Sequence, residues 1–84
     1  MKILDKIYNK LKEDKGKLSK SKFSKNYLRK DRNYLFVVAY NKMEVSTDAL
    51  LNLHCVLVDE GYNKLASEVL EEAVKLTRAN LAVE

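Results

Sequence analysis

The chain has 84 residues, enough for one domain, and at this length folding buries only about 60–65% of the unfolded surface, so the core is small. Apolar residues make up 46% and charged residues 33%, a balance that excludes a disordered tail, while zero prolines and two glycines leave little of the turn chemistry that sheets need. The net charge of +4 is split unevenly: residues 1–43 hold thirteen Lys/Arg against four acids, a balance of +9, and residues 44–84 hold three against eight, a balance of −5. The composition thus predicts an all-α fold, a single five-helix domain over 1–84, with one half suited to a polyanion.

In chain order, Ile3, Leu4, Ile7, Tyr8 and Leu11 recur at helical spacing and predict a helix over 2–14 that ends at Gly16. Ser19 is a good N-cap for a short second helix over about 20–28. Its apolar face is Phe23, Tyr27 and Leu28; its outer positions are Lys20, Lys22 and Lys25. Arg29-Lys30-Asp31 breaks the pattern, and Asp31 is the expected N-cap of a third helix over about 32–42. The apolar run Tyr34–Tyr40 fits a buried strand by periodicity alone, but no partner strand exists elsewhere in the chain, so a helix is expected. In that helix Leu35 and Val38 point inward, leaving Phe36, Val37 and Tyr40 outside. Val45-Ser46-Thr47-Asp48 opens a fourth helix, with Ser46 or Thr47 as N-cap, an inner stripe of Leu50, Leu53 and Leu57, and Gly61 at the C′ position. The fifth helix runs from about Tyr62 to Leu81, near 30 Å. It carries a 3–4 repeat of Tyr62, Ala66, Val69, Ala73 and Leu76, continued by Asn80 and Val83 and widened by Leu65, Leu70 and Leu81. That stripe covers the domain's own core or forms a dimer seam.

Reactive groups do not converge. His54 and Cys55 are adjacent, and helical neighbours point about 100° apart, so they are a poor nucleophile–base pair. Cys55 reads as a small core side chain and His54 as a half-buried helix residue. Glu71 and Glu72 read as a solvated edge. No metal-ligand spacing and no phosphate-cradling glycine loop is present. The chain is therefore expected to be no enzyme, with no cofactor, metal or small-molecule substrate. One cysteine makes no internal disulfide, and the apolar run Leu35–Tyr40 is far short of the ~20 residues that span a bilayer. The expected location is the cytoplasm of a bacterial cell or phage-infected host, away from membranes.

Lys17-Leu18-Ser19 before the second helix, and Val45-Ser46-Thr47-Asp48-Ala49-Leu50-Leu51-Asn52-Leu53 in the fourth, resemble the helix-turn-helix of phage Cro and CI-type repressors. Those proteins frame the motif with a Gly-Leu-Ser start and a Pro-Ser-Leu-Glu-Thr-Leu-Leu-Lys-Leu helix. Phe23-Ser24-Lys25-Asn26-Tyr27-Leu28-Arg29-Lys30-Asp31-Arg32-Asn33-Tyr34 is also similar to an uncharacterised family of small bacterial and phage helical proteins with a Phe-Ser-x-x-Tyr-Leu-Gly-Lys-x-Arg-x-Tyr signature. The repressor resemblance implies a helix-turn-helix-like core at about 19–43; the C-terminal helix, at about 62–82, lies outside it. It implies that Lys20, Lys22, Lys25, Arg29, Asn41 and Lys42 contact phosphates, while Lys30, Arg32 and Asn33 read base edges at the start of the third helix. Leu28 or Arg29 stands where the repressors place glycine.

Two functions follow as expectations. One is a homodimeric, DNA-binding transcriptional regulator, whose partner is double-stranded DNA and whose dimer seam is Tyr62, Ala66, Val69, Ala73 and Leu76. The other is a phage-type adaptor or inhibitor, a helical protein-interaction module that meets an acidic protein through Tyr34, Phe36, Val37 and Tyr40. Aromatics beside lysines also suit single-stranded nucleic acid.

Overall fold

A computed structural model describes residues 2–41 and 44–82, which form five helices and no strand. Helix α1 spans Lys2–Lys15, α2 Lys20–Asn26, α3 Tyr34–Tyr40, α4 Thr47–Asp59 and α5 Asn63–Ala82. The all-α fold expected from composition is what the chain adopts. No helix among the described residues is long and apolar enough to cross a membrane.

Helix α1 buries Leu4, Ile7 and Leu11 and ends before Gly16, whose φ is +78°. The Tyr8 hydroxyl donates to the Leu18 carbonyl at 2.7 Å and fixes the loop that follows. Ser19 caps α2 as expected, its Oγ accepting from the Lys22 N–H at 3.1 Å. Inside, Phe23 meets the Tyr8 ring edge-on at 5.6 Å and stacks on Tyr27 at 5.5 Å, a geometry aromatic quadrupoles favour.

Helix α2 is two residues shorter than the expected 20–28. Its last turn widens: the Leu28 N–H donates to the Phe23 carbonyl and the Lys30 N–H returns to Ser24, with Arg29 between them at φ +55°. The third helix begins at Tyr34, not at residue 32, because Asp31 closes a turn instead of a helix cap. Its carboxylate accepts from the Asn33 N–H at 2.8 Å and its carbonyl accepts from Tyr34 at 2.9 Å. The link between α2 and α3 is thus the seven residues 27–33, longer than the three or four residues that join a DNA-reading helix pair. The expected end of the third helix at Lys42 lies outside the described residues, as does Val83.

Helices α4 and α5 pack antiparallel as the central pair. Leu50, Leu53 and Leu57 are fully buried, as their spacing predicted. Ser46 stands at the N-cap in extended backbone, but its side chain makes no cap bond. The turn out of α4 is a Schellman motif: Tyr62 N–H donates to Leu57, Gly61 N–H to Val58, and Gly61 takes φ +88°. The imidazole Nδ1–H of His54 donates to the Ala66 carbonyl at 2.7 Å, tying the two helices together.

Two expectations are corrected here. Ala66, Val69 and Ala73 are buried against the chain's own core, with Tyr62 and Leu76 packed at its margin, so this stripe is not a dimer seam. Cys55 is exposed and is not a core side chain; at 100° per residue it falls on the face of α4 opposite the Leu50–Leu53–Leu57 stripe.

Candidate functional site

The charge split seen in the sequence is partly neutralised inside the fold. Lys6 pairs with Glu68 at 3.0 Å, Lys15 with Glu60 at 3.3 Å, and Lys30 with Asp48. Each pair joins the basic half to the acidic half. The other cations of α2 and its following link are different. Lys20, Lys22, Lys25, Arg29 and Arg32 are all exposed and have no acidic partner among the described residues. No acid occurs between Lys15 and Lys30 to offer one.

Three of these cations converge. Lys22 and Lys25 from α2, and Arg32 from the link, line a shallow hollow of about 280 Å³ completed by Ser21 and Asn26. The local pattern explains this: Ser21 and Lys25, and Lys22 and Asn26, are i,i+4 neighbours on two adjacent rows of α2, with Lys22, Lys25 and Asn26 exposed. Ser21 and Asn26 were not singled out from the sequence, although that spacing was readable in it. The hollow offers positive charge together with a hydroxyl and an amide, a donor set suited to phosphate oxygens.

Other expected site residues fall elsewhere. Lys30 does not face the hollow. It binds the Asp48 carboxylate and lies 5.9 Å from the centre of the Tyr34 ring. The hydrogen bond from Lys30, then one from Ser46, holds the Asp48 carboxyl down at about 2, and the same Asp48 bond raises the Lys30 ammonium. Lys30 is therefore a structural cation, not a free base reader. Tyr34 is half-buried, and its hydroxyl accepts from the Ser46 N–H at 3.0 Å and lies 3.2 Å from Ser46 Oγ. Tyr34 braces α3 to the start of α4 and is not a free interface side chain. Arg32 and Asn33 are exposed but precede α3 instead of forming its first turn; Asn33 is its N-cap residue. Asn41 is exposed at the far end of α3, and Lys42 lies outside the described residues.

The remaining faces of α3 follow the inward and outward pattern expected from the sequence. Val38 is buried and Leu35 half-buried, whereas Phe36, Val37 and Tyr40 are 51%, 49% and 88% exposed. Beside them runs an apolar cleft of about 360 Å³ where α1, α2 and α3 meet, with Lys20 and Asp5 among its lining.

Behind α2, the Tyr27 hydroxyl donates to Glu60 at 2.7 Å, and Lys15 approaches the same carboxylate. Burial, then the bond to Glu60, pushes the Tyr27 phenol up to about 12. The Lys15 ammonium is raised by its bonds to Tyr27 and Glu60. This cluster clamps the end of α2 to the end of α4.

No curated protein and no solved structure gave a significant match to the chain. A family of unknown function, DUF6626, matches residues 4–83, nearly the whole chain, and the protein belongs to that family.

Proposed function

We propose that this protein is a non-enzymatic DNA-binding protein, a regulator of transcription, that holds the phosphate backbone of a duplex on α2 and the link after it. One observation carries the reading. The chain neutralises Lys6, Lys15 and Lys30 internally yet leaves Lys20, Lys22, Lys25, Arg29 and Arg32 exposed and without an acidic partner among the described residues, three of them around one hollow. Duplex DNA carries one charge per about 1.7 Å of its axis, and unpaired cations gain most from releasing its counterions. With Arg32 held at the hollow, base readout falls to Asn33, the exposed N-cap residue of α3, because the outer face of α3 itself is apolar. The test compares two variants by duplex binding. Lys22→Gln/Lys25→Gln/Arg32→Gln is expected to weaken binding by at least tenfold at fixed salt, and Lys64→Gln/Lys75→Gln/Arg78→Gln, which likewise removes two lysines and one arginine but from the acidic half, by less than threefold, in line with about 1 kcal/mol or more per lost charged contact. Equal losses in both would reduce the interaction to net charge and reject the site.

A second reading rests on Phe36, Val37 and Tyr40, whose exposure is unusual for three apolar residues on one short helix. Under it the basic surface meets an acidic protein and α3 supplies the anchors. Phe36→Ser/Tyr40→Ser would then abolish partner capture while leaving duplex binding and helix content unchanged; a loss of duplex binding in this variant would tie α3 to DNA instead.

A further inference from the structure

We infer that the outer face of the α4–α5 hairpin is a self-association surface whose occupant is a second copy of this chain. The face lies on the side of the hairpin away from α1. Leu51 and Val58 of α4 and Leu70 and Val74 of α5 are between 39% and 46% exposed there, and Leu81 extends the strip at 66%. Leu51, Leu70 and Val74 share one shallow depression with Thr47, Ala73, Thr77 and Arg78, so the two helices contribute to a single surface. Helical spacing sets this up. Thr47, Leu51 and Val58 recur at i, i+4, i+11, and Leu70, Val74, Thr77 and Leu81 at i, i+4, i+7, i+11, each row about 100° from the stripe that packs the hairpin together.

Charge identifies the occupant. None of those seven positions is ionisable, in a chain that is 33% charged. Of the charged residues beside it, Arg78 lines the depression and Glu71 lies seven residues earlier on α5, with opposite sign. An isologous contact places a patch against itself, so any net charge on it is met by its own copy; an apolar strip flanked by one charge of each sign meets that condition, because Arg78 of one copy can face Glu71 of the other. Size agrees as well. A hairpin face 20–30 Å long and two helix widths across offers roughly 500 Å² per copy, about 1,000 Å² in total, at the lower edge of specific interfaces. The association is therefore expected to be reversible and to depend on protein concentration.

The test is sedimentation velocity over about a hundredfold range of protein concentration, on the full chain at moderate salt. Wild type is expected to shift from monomer to dimer across the range. Leu51→Glu/Val74→Glu is expected to stay monomeric throughout with unchanged helix content, since neither side chain is in the core. Phe36→Ser/Tyr40→Ser is expected to dimerise like wild type. A wild type that remains monomeric at every concentration overturns the inference, as does a dimer that survives Leu51→Glu/Val74→Glu or dissolves only in the α3 variant. Neither result bears on phosphate binding by α2, which uses a separate surface.

Discussion

Three tyrosines show how single residues organise this small domain. Tyr8, Tyr27 and Tyr34 each use the ring as core and the hydroxyl as a brace, reaching Leu18, Glu60 and Ser46 at 2.7, 2.7 and 3.0 Å. Tyr27 has a measurable consequence. Its phenol titrates near 12 in the fold against about 10 in the unfolded chain. A folded-state value raised in this way favours the fold fully below pH 10, and that contribution is lost as pH rises from about 10 to 12. Tyr27→Phe is expected to cost about 1 kcal/mol at neutral pH, for the lost bond to Glu60, and to remove this alkaline step from a plot of unfolding free energy against pH. Arg29 makes the opposite case, a residue working against its backbone. At φ +55° it holds a left-handed conformation that costs most L-residues roughly 1–2 kcal/mol, part of which glycine recovers. Arg29→Gly is expected to raise the melting temperature by a few degrees, equivalent to about 0.5–1 kcal/mol, while weakening duplex binding by one phosphate contact. The sequence marked the residue 28–29 region as a glycine place. It could not mark the tyrosine braces, whose partners lie 10, 33 and 12 residues away.

At the scale of helices, periodicity carried most of the information and cap chemistry set the errors. The stripes of α1, α4 and α5 were legible because each helix is amphipathic within its own length. Leu53 sits at the centre of the α4 stripe and is completely buried; Leu53→Ala is expected to cost about 2–5 kcal/mol in chemical denaturation. Gly61 was legible as the C′ residue of α4, and the Schellman geometry around it predicts that Gly61→Ala costs about 1 kcal/mol through its positive φ alone. The ends of α2 and α3 were misplaced for a local reason. Asp31 is as good an Asx-turn former as an N-cap, and only the turn lets Asn33 and Tyr34 satisfy their N–H groups on Asp31. The repeat in α5 was visible, but period alone does not say which surface it covers. Ala66 and Ala73 are small enough for α4 to approach closely, and α4 is the surface they meet.

Across the whole molecule, fold class followed from composition, because 84 residues without proline have few ways to make sheet turns. The candidate site was legible as a charge excess but not as a place. The +9 of residues 1–43 includes Lys6, Lys15 and Lys30, whose partners Glu68, Glu60 and Asp48 come from the other half. Only the fold separates these from the free set on α2 and its link, and it also withdraws Lys30 and Tyr34 from the surfaces expected of them. The free set gives a number. Five cations, Lys20, Lys22, Lys25, Arg29 and Arg32, correspond to a slope of log affinity against log salt of about −4.5, or roughly 500-fold weakening for a fourfold rise in salt. The measurement that bears most directly on the central claim is this slope, taken by fluorescence anisotropy on a duplex for wild type and for Lys22→Gln/Lys25→Gln/Arg32→Gln. A wild-type slope near −4.5 per bound chain that falls to about −2 in the variant is the expected result. No duplex binding at low salt, or a slope the three substitutions leave unchanged, would contradict the assignment of α2 and its link as the phosphate-binding surface.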